Sequence, residues 1–471
     1  MIQYSIEELH QLYALEDYDF QAYTDELFKE IEFQQKRLNA FVTITKQNMI
    51  THKNNSLLDG IPYALKDNFH TKNIKTTASS HMLENYISIY DAHVFTCLSQ
   101  NGACLVGKTS MDEFGMGSTN KTAITGPVCN PWDCSRIAGG SSGGSAAIVA
   151  SGVVPFALGT DTGDSIRKPA GYCGAVGFKP TWGRVSRFGM IPYASSLDTV
   201  GALTRNVRDM TIVMEAISGH DKRDMTSSKK TVPHYLQNLN QDIRGLKIAV
   251  FHSISDTIKN KQIKDNFETV IQTLKSLGAD VENVSFPNQL LENLLAVYTI
   301  IANTEATSHL ACLDGIKYGL SQKASDIDEM MLKTRTQGFG KQVKTRLVLG
   351  YLASSYENQE KMFRKAQKVR RLIAEELQKV YEHYDIVLTP NSGNIAPKIS
   401  DDYHNYSLIE NHLCLANLTG TPSLTLPTGF VDGMPIAVNM TGRLFEEQTV
   451  FNVAYALENA FEYKNQFKRE G

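Results

Sequence analysis

The chain has 471 residues, 42% of them hydrophobic and 21% charged, with a formal net charge of -3. That is ordinary globular composition with length enough for a large core, and a charge this close to neutral excludes a general basic field for direct nucleic-acid binding. Its longest apolar runs fall short of the roughly 18 residues that a membrane-spanning helix needs, and the polar, acidic start MIQYSIEELHQLYALED is not a signal peptide.

Residues 18–38 carry apolar side chains at helical spacing, which predicts an opening helix. GIPYALKDN, 60–68, reads as a short strand ending at Lys66. Residues 91–109 read as helix, glycine-containing turn and strand. SAAIVASG, 145–152, is a small-residue helix and VPFALGTD, 154–161, a strand. Residues 206–219 form a helix that ends at glycine. The polar stretch 220–243 is the best candidate for a linker. Beyond it come strand LKIAVF, a helix near 263–277, strand VENVSF, helices around 290–311 and 355–384, strands DIVLTP, PSLTLP and PIAVNM, and a helix near 447–463. Alternating strands and helices predict an α/β fold with helices on both faces of a sheet.

Seven scattered cysteines, an odd number with no C-x-x-C, read as reduced thiols of a cytoplasmic protein. Neither they nor the histidines form a metal-ligand pattern. Two short motif matches fail on context. Gly102-x-x-x-x-Gly107-Lys108-Thr109 fits the P-loop pattern, but its interior, Ala-Cys-Leu-Val, reads as a strand rather than a phosphate nest. Gly140-x-Ser142-x-Gly144 fits a nucleophile elbow, but no buried strand enters the turn.

GGSSGGS, 139–145, and GTDTGDSIRKPAG, 159–171, carry more weight. They lie one supersecondary unit apart, so Ser141 and Ser165 can return to the same end of a sheet as Lys66. A serine hydroxyl needs a base, and no histidine is near in sequence. A buried lysine can serve, because desolvation makes its neutral amine available. A second serine can relay the proton. Thr162, Gly163, Asp164 and Ser165 can present successive backbone N–H groups to an oxyanion.

Residues 60–206 hold an ordered set of segments: GIPYALKDN, GKTSMDEFGMGSTN, NPWD, GGSSGGSAA, LGTDTGDSIRKPA, CGAVGFKPTWGRVSRFG and SSLD. With these the chain resembles the amidase signature family over nearly its whole length. VSRFG, SSLD, DGIKYG and GFGKQVKTR resemble the A subunits of tRNA-dependent amidotransferases within it. The resemblance implies a single amidase domain over 1–471, with an N-terminal helical segment to about 58, a signature core over 60–206 and 220–243 inside the domain. Its sheet is large and mixed, in an α/β/α fold. The resemblance also implies a triad of Lys66, Ser141 behind a cis peptide, and nucleophilic Ser165. Glutamine would be recognised by Tyr298, Arg346 and Glu410. Its ammonia would pass to a partner B subunit, which amidates Glu-tRNA(Gln) with ATP and Mg2+, while a C subunit bridges the two. This chain itself would need no cofactor and would meet tRNA mainly through its partner.

The chain departs from the family at Asp164, where glycine is usual, and at Lys168, where glutamine is usual. If position 164 needs positive φ, aspartate is strained there. A carboxylate about 6 Å from an oxyanion disfavours it by roughly 3 kcal/mol at an effective dielectric of about 20, on the order of a hundredfold in rate. It would also favour protonated Lys66. Lys168, four residues on, is a pairing candidate for Asp164. Besides an active glutaminase, two alternatives stand: a stand-alone small-amide amidase, and a structural A subunit impaired by Asp164.

Overall fold

The structure, a computed structural model, describes residues 3–45, 56–402 and 406–461. Among these described residues the frame is one mixed sheet of eleven strands in the order β1-β3-β2-β4-β6-β5-β10-β11-β9-β7-β8. Along the chain these are β1 Phe41–Ile44, β2 Pro62–Lys66, β3 Cys104–Thr109, β4 Phe156–Asp161, β5 Val176–Lys179 and β6 Thr199–Thr204. The second half adds β7 Lys247–Phe251, β8 Asp280–Val284, β9 Ile386–Pro390, β10 Ser423–Val431 and β11 Met434–Gly442. Strands β2, β4, β5, β6, β9 and β11 are buried at every position, so side chains on both faces of the sheet are covered. Such strands read as continuous apolar runs rather than alternating ones.

The predicted opening helix is Phe20–Leu38. Asp19 caps it by accepting from Ala22 N, and Asn39 ends it in the left-handed region at φ 53°. Tyr23, Leu27, Ile31 and Leu38 form its buried stripe. A preceding helix, Ile6–Tyr13, starts in a Ser5–Glu8 capping box. The predicted small-residue helix spans Gly143–Ala150, two residues earlier than the sequence suggests. The helix expected over 355–384 covers Phe363–Tyr381, and the last one spans Glu447–Phe461, its predicted final residues 462–463 lying outside the described residues.

The polar stretch 220–243 holds no helix or strand. It does not separate two sheets: β5 pairs antiparallel with β10, with Phe178 opposite Leu424, so the halves before and after it share one ladder. Strands β1, β5 and β6 have no counterpart among the predicted elements. β1 is four residues long and follows directly on the opening helix. β5 lies between Gly174 and Pro180, and β6 is interrupted by Gly201, so turn signals mask both.

Strand direction positions the site. β2 lies between β3 and β4 and is parallel to both, with Leu65 opposite Leu158. The carboxyl ends of β2 and β4 therefore emerge side by side. Helix Gly143–Ala150 runs back against β4, which brings its amino end to that same edge. Carboxyl ends of neighbouring parallel strands are where α/β sheets place their ligands.

Candidate active site

Lys66 is the last residue of β2 and is fully buried. Its Nζ donates to Ser141 Oγ at 2.8 Å, to Ser142 Oγ at 2.8 Å and to the Thr160 carbonyl at 3.3 Å. Burial lowers its pKa to about 7, against the opposing pull of Asp112, Asp161 and Asp198. An amine that is half neutral near pH 7 is a usable base. Ser142 is not an elbow nucleophile, in line with the failed motif. It is nonetheless the second hydroxyl on Lys66, and its own Oγ donates to the Thr160 carbonyl.

The Gly140–Ser141 peptide is cis. A Cβ at Gly140 would lie 2.0 Å from Asp112 Oδ2, so only glycine lets the loop pass so close. Asp112 in turn accepts from the amides of Asn120 and Thr119 and from Thr122 Oγ1, and its own amide donates to the Ser141 carbonyl. It is a fixed anchor under the serine loop.

Ser165 follows β4 in a turn held by an ion pair. Arg167 Nη2 lies 3.0 Å from Asp161 Oδ1 and its Nε 3.1 Å from Oδ2, and both side chains are fully buried. Asp161 also accepts from Ile166 N and Asn417 Nδ2, and Arg167 reaches the Gly163 carbonyl at 2.8 Å. Burial alone would raise the Asp161 pKa, but the guanidinium and the other donors hold it down to about 2. Within this clamp the Ser142 amide donates to the Ser165 carbonyl at 3.0 Å, which ties the two serine loops together. Ser165 Oγ and the backbone N–H groups of Thr162, Gly163, Asp164 and Ser165 make no hydrogen bond among the described residues. Thr162 is oriented by Asp198, which accepts its hydroxyl at 2.7 Å.

A cavity of about 740 Å³ opens beside this turn. Gly163 and Asp164 line it, with Tyr298, Tyr193, Asn303 and Arg346. Gly163 is glycine because Tyr298 packs on it: a Cβ there would lie 2.9 Å from the ring. Arg346 is aimed through Tyr193, whose hydroxyl accepts from Nη1 at 2.6 Å and donates to Asn303 Oδ1 at 3.0 Å. Arg346 has no carboxylate partner among the described residues. Of the residues that resemblance assigns to substrate, Tyr298 and Arg346 thus share one cavity with the serine turn.

Glu410 does not join them. Its carboxylate takes Lys168 Nζ at 2.9 Å, Ser392 Oγ at 2.8 and 2.9 Å and Gly393 N at 3.0 Å, in a buried cluster behind the turn. The candidate pair of Lys168 with Asp164 is absent for the same reason: Lys168 is spent on the Glu410 carboxylate and on the Glu410 carbonyl. Nor does Asp164 need positive φ, since its backbone lies outside the left-handed region and no glycine is required there on that ground. Lys108 is likewise structural. It is buried at the end of β3 between the Phe69 carbonyl and Asp67, which removes the P-loop reading.

No signal in the local sequence marks Asp161, Arg167 and Asp198 as braces, although all three lie inside the segments LGTDTGDSIRKPA and SSLD. A charged residue in a glycine-rich turn reads as solvated until its partner is known.

The amidase family model matches residues 22–451. The A subunit of the glutamyl-tRNA(Gln) amidotransferase of Geobacillus sp. strain WCH70 is 39% identical, with 99% of each chain covered. The crystal structure of the corresponding protein from Thermotoga maritima superposes with a TM-score of 0.84 at 36% identity, covering 99% of this chain and 97% of the other. The peptide amidase of Stenotrophomonas maltophilia gives 0.84 at 26% identity over 99% of both chains. With a lysine–serine pair, an unengaged serine and these relatives in agreement, the chain belongs to the amidase family, on the branch that carries the glutamyl-tRNA(Gln) amidotransferase A subunits.

Proposed function

We propose that the chain is the glutaminase subunit of a tRNA-dependent amidotransferase and works by a Ser-Ser-Lys relay. The observation that carries this is the buried Lys66 hydrogen-bonded to Ser141 beside an unengaged Ser165. Neutral Lys66 takes the Ser141 proton as Ser141 takes that of Ser165. Ser165 Oγ attacks the side-chain amide carbon of glutamine. The backbone N–H groups of the 162–165 turn meet the oxyanion, where preorganised donors are worth about 2.7–4 kcal/mol each. The relay returns the proton to the leaving nitrogen, ammonia departs, and water cleaves the glutamyl ester by the same path. Arg346 binds the substrate carboxylate and Tyr298 covers the chain between them.

In this reading the ammonia serves a partner B subunit that uses ATP and Mg2+ to amidate Glu-tRNA(Gln), a C subunit bridges the two, and the complex works in the cytoplasm. The near-neutral charge of this chain supports leaving most tRNA contacts to the partner. Among the described residues no helix is long and apolar enough to cross a membrane.

Glutamine-dependent ammonia release by the complex, with Glu-tRNA(Gln) and ATP present, tests the reading. Arg346→Ala is expected to raise KM by roughly 30- to 100-fold, as a charge-assisted two-point contact is lost, with kcat changed far less. An equal fall in kcat at constant KM would place Arg346 outside the ground-state complex. The pH profile is a second check. Lys66 acts as a base only when neutral, and its pKa lies near 7. Activity is therefore expected to be low well below that value and to rise through about 7 to a plateau. A rate that stays flat across the neutral range would remove Lys66 as the base.

A further inference from the structure

We propose that Asp164 receives the substrate's ammonium group and so makes this site select a free amino acid over a simple amide. The inference rests on the amide-hydrolysing reading above and names the part of the substrate that reading leaves unrecognised.

An amino acid brings both charges into a cavity. The carboxylate has a partner in Arg346; the ammonium needs an acidic one. The carboxylates that line the cavity or brace the serine loops can be checked for free acceptor capacity; Asp67, beside Lys66, does not line the cavity and pairs with Lys108. Asp161 is filled by Arg167, Ile166 N and Asn417. Asp198 takes Thr162 Oγ1 and the amides of Tyr193 and Ala194. Asp112 takes Asn120 N, Thr119 N and Thr122 Oγ1. Glu113 lines the cavity, but Ser80 Oγ and Gly340 N occupy its two oxygens. Glu410 is saturated by Lys168, Ser392 and Gly393.

Asp164 differs from all of these. It lines the cavity and is half-buried, and its carboxylate makes neither a hydrogen bond nor an ion pair among the described residues. A carboxylate partly removed from water without a partner is costly unless a ligand supplies one. Burial raises its pKa to about 6, while Lys168 pulls the other way from within its own pair. It is therefore mostly ionised at neutral pH, and an arriving ammonium stabilises that form. Its place beside Ser165 suits an ammonium separated from the reacting amide by only a short aliphatic chain. Lys168 has a defined part as well. By neutralising Glu410 it leaves Asp164 as the open acceptor, so the two charged residues at 164 and 168 act together. The charge that would oppose an oxyanion is also offset while the ammonium is bound.

The test compares L-glutamine with 4-carbamoylbutanoate, which has the same amide and carboxylate but no ammonium. Wild type, Asp164→Asn and Asp164→Gly are assayed as the full chain in complex with its B and C subunits. In wild type, L-glutamine is expected to be the better substrate. Both variants are expected to raise KM for L-glutamine by roughly 30-fold or more, the usual loss when a buried charge pair is broken. For 4-carbamoylbutanoate, which brings no ammonium, the KM is expected to change at least about tenfold less than for L-glutamine in the same variant. Titration calorimetry with L-glutamine should show the same loss of affinity without relying on turnover. Equal effects on the two amides, or no effect on L-glutamine, would overturn the role of Asp164 and leave the amidase reading standing. Hydrolysis of neither amide by wild type, with L-glutamine still bound tightly and Asp164-dependently, would overturn the amidase reading and support the ammonium site. Absence of binding as well would overturn both.

Discussion

Ser165→Ala is expected to lower glutamine-dependent ammonia release by about four orders of magnitude or more, the usual cost of deleting a nucleophile that acts as a unit with its base. Lys66→Ala is expected to fall as far, and the double variant hardly further, because either change breaks the same relay. The change at Ser165 removes one hydroxyl that makes no hydrogen bond among the described residues, so the fold should be untouched. Titration with L-glutamine should still show binding. Amidation of Glu-tRNA(Gln) with ammonium chloride as nitrogen source should survive in the Ser165→Ala complex, since free ammonia bypasses this chain. Glutamine-dependent activity within about tenfold of wild type would place the nucleophile elsewhere.

The second large effect concerns folding. Arg167→Met is expected to destabilise the chain by about 3–5 kcal/mol, because it leaves the Asp161 carboxylate buried and unpaired. Asp161 is held at a pKa of about 2 in the fold, so its contribution is fully present above the unfolded value and is lost as pH falls through about 2. In the variant Asp161 no longer has that depressed pKa. The stability difference between wild type and Arg167→Met should therefore be full at neutral pH and shrink as acid protonates the carboxyl. Denaturant midpoints at neutral and at mildly acidic pH would measure it. A variant as stable as wild type at neutral pH would mean the pair contributes nothing beyond the hydrogen bonds of Asp161 to Asn417 and Ile166 N.

Arg167 also reaches the Gly163 carbonyl, one residue before Asp164. Loss of the brace is therefore expected to disturb the 162–165 turn before it unfolds the sheet. The same clamp explains how a turn rich in glycine, threonine and serine keeps one shape: Arg167, Asp161, Asn417 and Asp198 replace the rigidity the local sequence lacks.

The strands that reach the site, and the residues at their ends, are legible from the order of amino acids alone. PYALK and FALGTD are continuous apolar runs stopped by a polar residue, and burial on both faces of a sheet demands such runs. That the loops of Ser141 and Ser165 return to the end of the strand carrying Lys66 is legible too, since small-residue loops flank each element one supersecondary unit apart. Strands β5 and β6 are not, because their few apolar residues, interrupted by Gly177 and Gly201, fit strand and loop equally. Which charges meet is set by packing. Lys168 lies four residues from Asp164 along the chain yet pairs with Glu410, 242 residues away. Ser142, whose motif fails as an elbow, shares Lys66 with Ser141. The physical reason is the same in both cases. Apolar patterning acts locally, through the period of each element, whereas a buried charge takes whichever partner the packed sheet places within hydrogen-bond reach, and that choice leaves the Asp164 carboxylate facing the cavity unpaired among the described residues.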